Sequence, residues 1–499
     1  MSLRSFAVHQ SLVNTEGCVS LAAMLKSFQI AIGICLLVPA SVTSAPNVIL
    51  VMCDDLGWGD VGFNGGQLIA TPHLDAWAAD SLIFRRFYAA APVCSPTRGS
   101  CLTGRHPHRL GIPHANQGHL RREELTLGEV LQQAGYRTGH FGKWHLGTLT
   151  RTVSDSNRGG NPKQTQHFSP PQWHGFEVCF STEARVPTYD PMLRPPPRDA
   201  RPPDSWDALD DRATGIPFGT HYWNERGEIV EDNLHGDDSR VIMDRAIPFI
   251  EQSVASNEPF LAVIWFHSPH LPVVAGADHR AAYPAASRPW HQNYYGCVTA
   301  LDEQMGRLRA TLRQLNVAAN TLLWFCADNG PEGGPQAPGA TGPFRGRKRS
   351  LYEGGIRVPA FAHWPRRIPA GRSTDFPAVT SDYLPTILEF LGESGDEHRP
   401  LDGVSLLSVL SDTVPARSDP IGFLFRSKGA WIADQYKLVG DTSADQWELY
   451  DLQADPGEQT DLAQSEPRIL RRMRDEFEAW RASCEPNPAG DKRQGQDGS

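Results

Sequence analysis

The residues best equipped for chemistry lie in one short run, Cys94-Ser95-Pro96-Thr97-Arg98, which continues through Cys101-Leu102-Thr103-Gly104-Arg105. A plain reading is a turn that opens a helix, with Pro96 in the first turn, where its missing N–H costs nothing. A cysteine-phosphatase loop is the first chemical alternative. It fails, because the position that should carry its anion-cradling arginine is Ser100. Four other places hold polar groups just after apolar runs: Asp54-Asp55, Lys143 with His145, His267 with His270, and Asp328-Asn329. One such ending is explained by a cap or a turn; four in one chain point to a shared site.

The elements that must position these groups follow from the hydrophobic pattern. Residues 47–53, 259–266 and 321–327 are continuous apolar runs, as expected for strands buried on both faces of a parallel sheet. Residues 136–147 read as a short strand ending in Lys143 and His145. Helices are expected over 71–81, where Thr71 caps and Pro72 follows, and over 126–134, closed by Gly135. Further helices are expected at 239–253, with Val241, Ile242, Ala246, Phe249 and Ile250 on one face, and at 294–315. Alternating strands and helices predict an α/β domain whose large, mixed, mainly parallel sheet is flanked by helices. In such sheets, ligands bind beyond the carboxyl ends of the strands. Residues 148–235 look mostly irregular and read as loops framing a pocket.

The texture changes near residue 375. A helix over 382–391, short strands at 422–426, 431–432, 436–439 and 447–452, and a last helix over 466–482 predict a smaller unit, an antiparallel sheet with a terminal helix. The expected division is 1–45 as an upstream extension and signal peptide, 46–374 as the catalytic domain, 375–485 as the smaller α+β domain, and 486–499 as a disordered tail. The leader is read from Lys26, the apolar stretch from Phe28 to Val38, and the small residues that follow, with Met24 as the start. That stretch is too short to span a bilayer, so export without a stable anchor is expected. A length of 499 residues also favours more than one domain, and the net charge of −10 argues against a general nucleic-acid binder. The nine cysteines show neither metal spacing nor a disulfide framework.

Electrostatics narrow the chemistry. Two carboxylates 4 Å apart repel by about 4 kcal/mol at an effective dielectric near 20, and a divalent cation relieves that repulsion. Asp54, Asp55, Asp328 and the Asn329 carbonyl make an all-oxygen set suited to Ca²⁺ or Mg²⁺. Asp328-Asn329-Gly330 is also a hairpin signal, and His267 with His270 could hold zinc, although no third soft ligand accompanies them at close spacing. The basic run from Arg345 to Arg349 could simply be solvated. With Arg98 and Lys143, however, Lys348 would give a metal site cationic walls for a tetrahedral oxyanion.

On the Cys94 to Arg105 run, Gly135-Tyr136-Arg137-Thr138 through Gly142-Lys143-Trp144-His145, Lys348 before Tyr352-Glu353-Gly354-Gly355, and Leu449-Tyr450-Asp451-Leu452, the chain resembles the type I sulfatases. These are the formylglycine-dependent branch of the alkaline-phosphatase superfamily. The resemblance spans Pro46 to about Leu462, and the segment from Phe176 to Met192 is similar to relatives of arylsulfatase A and N-acetylgalactosamine-6-sulfatase. It implies an alkaline-phosphatase-like fold and hydrolysis of a sulfate ester, a sulfated sugar by nature and aryl sulfates as artificial substrates. Cys94 would be converted by a formylglycine-generating enzyme, and the hydrate of its aldehyde would be the nucleophile, passing through a covalent sulfo-enzyme. Asp54, Asp55, Asp328, Asn329 and the modified Cys94 would hold Ca²⁺ in preference to Mg²⁺. Arg98 would stabilise the hydrate, and Lys143 and Lys348 would bind sulfate oxygens. His270 would protonate the leaving alcohol with help from Lys348, and His145 would take the proton that releases sulfate. A phosphate or phosphonate monoesterase with the same machinery, and a non-catalytic glycan-binding homologue, are the competing readings.

Overall fold

Five strands lie side by side and parallel at the centre of the structure, a computed structural model that describes residues 45–155, 162–196, 206–286, 288–394, 399–411 and 416–484. The large sheet has ten strands: β1 (Asn47–Cys53), β2 (Leu82–Phe84), β3 (Arg137–Lys143), β4 (Val178–Thr182), β5 (Tyr222–Asn224), β6 (Ile229–Val230), β7 (Phe260–Trp265), β8 (Thr321–Ala327), β9 (Phe361–His363) and β10 (Arg372–Thr374). Their order is β10-β2-β9-β8-β1-β7-β3-β4-β5-β6, with β8, β1, β7, β3 and β4 forming the parallel centre. Every residue of β1, β7 and β8 is buried, as their unbroken apolar sequences require in a sheet covered on both faces.

Register decides where the strand ends meet. Cys53 pairs with Ala327, Met52 with Trp265, Trp265 with Gly142, and Lys143 with Thr182. Residues following these pairs, among them Asp54, Asp328, His267 and Glu183, therefore emerge along one edge. Helices supply the cover: α1 (Pro72–Ala79), α2 (Cys94–Thr103), α3 (Leu127–Gln133), α4 (Asp238–Ala255), α5 (Pro289–Gln314), α6 (Tyr383–Leu391) and α7 (Pro467–Ser483). Thr126 caps α3 in a capping box with Glu129, and α4 lays Val241, Ile242, Ala246, Phe249 and Ile250 toward the core against β3 and β7. Trp77, Trp144, Trp265 and Trp324 are almost wholly buried there, each contributing about 4–6 kcal/mol by area as an upper figure.

Two sequence expectations shift. Residues 148–235 are not only loop, because β4 joins the parallel centre and β5 and β6 extend the sheet beyond it. Val178-Cys179-Phe180-Ser181-Thr182 is too short and too polar to stand out as a run, and its neighbours decide its state. Beyond residue 375, Tyr383, Leu384 and Ile387 of α6, with Leu406, Val409 and Leu410, pack into the core of the large sheet. The antiparallel sheet, β11 (Ile421–Phe425), β12 (Lys428–Ala433), β13 (Tyr436–Asp441) and β14 (Gln446–Asp451), follows them. One of its faces closes over α7 through Leu438, Leu449, Met473 and Phe477. The leader expected over 1–45 falls almost entirely, and the tail expected over 486–499 wholly, outside the described residues. Among the described residues no helix is long and apolar enough to cross a membrane, and the seven cysteines are all free and buried.

Candidate active site

Each strand of the parallel centre delivers a polar group to the same edge. Asp54 and Asp55 leave β1 fully buried, and Asp328 and Asn329 leave β8. The Asp55 N–H donates to Asp328 Oδ1 at 3.1 Å, and Asn329 Nδ2 donates to Asp55 Oδ1 at 2.6 Å. Oxygens of Asp54, Asp55 and Asp328 lie within 4.8 Å of one another. Asp328-Asn329-Gly330 is therefore no hairpin turn; it carries β8 into the site.

Three buried cations balance the three carboxylates. Lys143, the last residue of β3, bonds Asp54 Oδ2. Lys348 Nζ lies 2.6 and 2.7 Å from the two oxygens of Asp55. Arg98, on the first turns of α2, spends Nε and Nη2 on Asp328 Oδ2 at 3.1 and 2.7 Å and Nη1 on the Lys143 carbonyl at 2.9 Å. Gly142 permits this path, at φ 106° and with its Cα so near the Trp265 carbonyl that a Cβ would lie 2.0 Å from that oxygen.

These charges set the protonation states. Burial pushes Asp55 up, but Lys348 and then His270 outweigh it and hold the carboxyl well below the usual range. Burial and the neighbouring Asp54 push Asp328 up to about 6. Lys348 rises above an ordinary lysine because Asp55 outweighs its burial. Cys94 opens α2 at 2% exposure, and burial raises its thiol despite Lys143 and Lys348. A working thiol nucleophile needs the opposite shift.

A pocket of about 300 Å³ opens onto this cluster, lined by Cys94, Lys143, His145, His270 and Lys348. His270 Nδ1 bonds the Leu271 carbonyl at 2.5 Å, and its Nε2 is 3.7 Å from Asp55 Oδ2. Burial first, then Lys348 and Lys143, hold its imidazole well below the usual histidine range. His145 Nε2 meets Asn116 Oδ1 at 2.6 Å. Asp55, Asn116, His145 and Arg349 all take left-handed backbone, at φ 65°, 63°, 61° and 70°. Such strain costs about 1–3 kcal/mol per residue and collects at functional sites.

All ten residues singled out from the sequence, Asp54, Asp55, Cys94, Arg98, Lys143, His145, His270, Asp328, Asn329 and Lys348, therefore meet in or directly beneath one pocket. The zinc alternative falls: both ring nitrogens of His267 are taken by protein partners, Asp238 Oδ2 and Thr182 Oγ1, each at 2.7 Å. Sequence reasoning missed Asn116 and Arg185, which line the pocket, and Glu332, which lies 3.5 Å from Lys348; Arg349, part of the basic run that could have been simply solvated, lines the pocket as well. Glu332 follows Asn329 by three residues, a spacing that could have drawn attention; Asn116 and Arg185 sit in loops without a pattern.

The donor set suits a hard divalent cation. Asp54 Oδ1 and Asn329 Oδ1 are buried acceptors with no hydrogen bond, and all the candidate ligand atoms of these two strand ends are oxygens.

Comparison with known proteins gives the family. The sulfatase family model matches residues 46–393, and the model for the C-terminal part of N-sulphoglucosamine sulphohydrolase matches 342–483. The chain is 32% identical to N-acetylgalactosamine-6-sulfatase of Sus scrofa over 424 residues, 81% of this chain and 73% of the relative. It is 34% identical to arylsulfatase G of Rattus norvegicus over 394 residues, 73% and 68% of the two chains. The solved structure of Ps i-CgsB in complex with k-i-k-neocarrahexaose superposes with a TM-score of 0.74 at 27% identity, covering 89% of this chain and 94% of the other. With a family model matched over most of its length, this chain belongs to the sulfatases, the sulfuric ester hydrolases.

Proposed function

We propose that this sulfatase cleaves a sulfate ester of a carbohydrate, with Cys94 matured to formylglycine and Ca²⁺ held by Asp54, Asp55, Asp328 and Asn329. The observation that carries the reading is the pocket itself: Cys94, two buried lysines and two histidines face one cavity above a carboxylate cluster. Relatives named for a sugar sulfate and a solved neighbour in complex with k-i-k-neocarrahexaose support the sugar.

Formylglycine, once formed, supplies a hydrated aldehyde oxygen as nucleophile, and a bound Ca²⁺ supplies positive charge for the transferring sulfate oxygens. The other roles belong to this chain. Lys143 and Lys348 bind and orient the sulfate, and one well-placed donor in such a site contributes about 3–4 kcal/mol to the transition state. Arg98 fixes Asp328 and the end of β3, so the lysine and the carboxylates keep their spacing. His270 carries its Nδ1 proton toward Leu271 and so turns Nε2 to the pocket. The negative charge of the bound sulfate opposes Lys143 and Lys348 and favours a proton on that Nε2, which passes to the leaving alcohol. His145, oriented by Asn116, accepts a proton as sulfate departs. A positioned histidine typically adds about 10²–10⁴-fold.

At 2% exposure in the finished fold, Cys94 gives a modifying enzyme no approach, which supports conversion before the chain closes around it. The apolar leader between Lys26 and Ala45 supports export.

Turnover of matched aryl sulfate and aryl phosphate esters tests the reaction class, and a panel of defined sulfated saccharides tests the substrate. Faster cleavage of the phosphate overturns the sulfate reading. Mass analysis of the Cys94 peptide from active protein should show the CH₂SH group replaced by CHO; an intact thiol in active protein overturns the maturation.

A further inference from the structure

His267 stands three residues before His270, and the metal reading of the sequence left it without a task. Its surroundings assign one. Thr182 gives its hydroxyl proton to the Ala184 carbonyl at 2.8 Å, so it faces His267 Nε2 as an acceptor. Asp238 Oδ2 faces Nδ1 as an acceptor at 2.7 Å, and the other Asp238 oxygen accepts from Tyr222 Oη at 2.6 Å. Both ring nitrogens of His267 therefore donate, and the ring is fixed at two ends.

The partners come from separate elements that end at the site: Thr182 closes β4, Asp238 opens α4 and Tyr222 opens β5. His267, Thr182, Asp238 and Tyr222 are all fully buried. Burying four polar side chains costs desolvation that an apolar cluster of equal volume would not, so stability alone gives no reason for the choice. The chain of bonds ends on two parts of the pocket. At one end the His267 carbonyl accepts the His270 N–H at 2.8 Å, and the next carbonyl, of Ser268, accepts the Asp54 N–H at 3.1 Å. At the other end Thr182 holds the carbonyl of Ala184, which lines the pocket beside Arg185.

We propose that His267 is a positioning residue: through Asp238 and Thr182 it locks the turn that aims His270 at the leaving oxygen, and it sets the pocket wall at Ala184 at the distance that turn requires. This rests on the reading of His270 as the proton donor. A donor displaced by a fraction of an ångström still leaves the sulfate bound, so the loss should appear where protonation matters most, with poor leaving groups.

The test is kcat/KM for a series of aryl sulfates, from nitrophenol to unsubstituted phenol leaving groups, on full-length His267→Gln, Thr182→Val, Thr182→Ser and His270→Asn proteins, with thermal unfolding of each. His267→Gln and Thr182→Val should lose about 10²-fold on phenyl sulfate and less than about threefold on the nitrophenyl ester. Thr182→Ser, which keeps the hydroxyl, should restore the wild-type dependence. A loss equal across the series in both variants, or none, overturns the positioning role. A leaving-group dependence unchanged in His270→Asn overturns the reading of His270 instead, so the two failures are told apart. Should His267→Gln not fold, Thr182→Val removes one hydroxyl and decides the question alone.

Discussion

Arg98 gives two of its hydrogen bonds to a single oxygen of Asp328, at 3.1 and 2.7 Å, with neither side chain exposed. Its remaining Nη1 holds the Lys143 carbonyl, and the guanidinium lies over the Trp265 ring at 5.1 Å. One side chain from α2 thus ties together the ends of β8, β3 and β7. Removing one partner of a buried pair leaves the other charge uncompensated and costs about 3–5 kcal/mol. Arg98→Ala should lower the free energy of unfolding by that much and abolish turnover. Arg98→Lys keeps the charge but cannot fork, so it should recover part of the stability and little of the activity. Urea unfolding measures the stability and aryl sulfate turnover the activity of each variant, and an unchanged unfolding free energy in Arg98→Ala would refute the strut.

The carboxylates of Asp54, Asp55 and Asp328 should make the protein metal-dependent in stability as well as in rate. A cation that binds only the folded chain stabilises it by about 2.7 kcal/mol at one hundred times its Kd. Extensive chelation should therefore lower both Tm and activity, with Ca²⁺ restoring both and Mg²⁺ restoring less. Asn329→Leu removes one of the two unbonded buried acceptors, and should weaken the response of Tm to Ca²⁺ while leaving a folded protein. A Tm indifferent to Ca²⁺ in the wild type rules out the site.

Cys94→Ser offers an oxygen nucleophile in the same place but no aldehyde to regenerate. A serine sulfate would have to wait for attack by water, whereas a hydrated aldehyde can expel its sulfate. The variant should release at most one equivalent of phenol from an aryl sulfate and then stop. Product counted against enzyme in a rapid-mixing experiment checks this, and sustained turnover at the wild-type rate contradicts the role given to Cys94.

How much of this was legible beforehand depended on the length of each apolar run. β1 and β8 are seven residues each and end in carboxylates, so Asp54, Asp55, Asp328 and Asn329 could be placed at one sheet edge from pattern alone. Strand β4 has five residues with Ser181 and Thr182 at its end, and pairing with β3 on one side and β5 on the other makes it a strand. The change of texture near residue 375 assigns helix α6 to the smaller unit, yet Trp324 of β8 stacks on its Tyr383 at 4.7 Å. Asn116, Arg185 and Asp238 reach the site, or the bonds beneath it, through tertiary contacts that leave no periodic signal. The pairing of His267 with Asp238, 29 residues earlier, was invisible for the same reason.

Lys437 on β13 supplies the last prediction, which concerns stability against pH. Its ammonium is fully buried, 2.9 Å from Glu353 Oε1 and 2.7 Å from Glu458 Oε1. The Glu353 N–H donates to Glu458 Oε2 at 2.6 Å, so two carboxylates share one cation where the small sheet meets the Tyr352 loop. Burial, only partly offset by Lys437, pushes Glu458 from an ordinary 4.5 up to about 7. Glu353 moves the other way, because Lys437 and Arg357 outweigh its burial. A carboxyl raised in the folded state binds more protons folded than unfolded between those two values, so its contribution to stability falls as pH rises from 4.5 to 7. Glu458→Gln, which cannot ionise and leaves Lys437 paired with Glu353, should remove that fall. The variant should thus gain on the wild type steadily across the window, as read from urea midpoints at successive pH values. Parallel pH profiles for the two proteins would show that Glu458 ionises in the folded protein as it does in the unfolded chain.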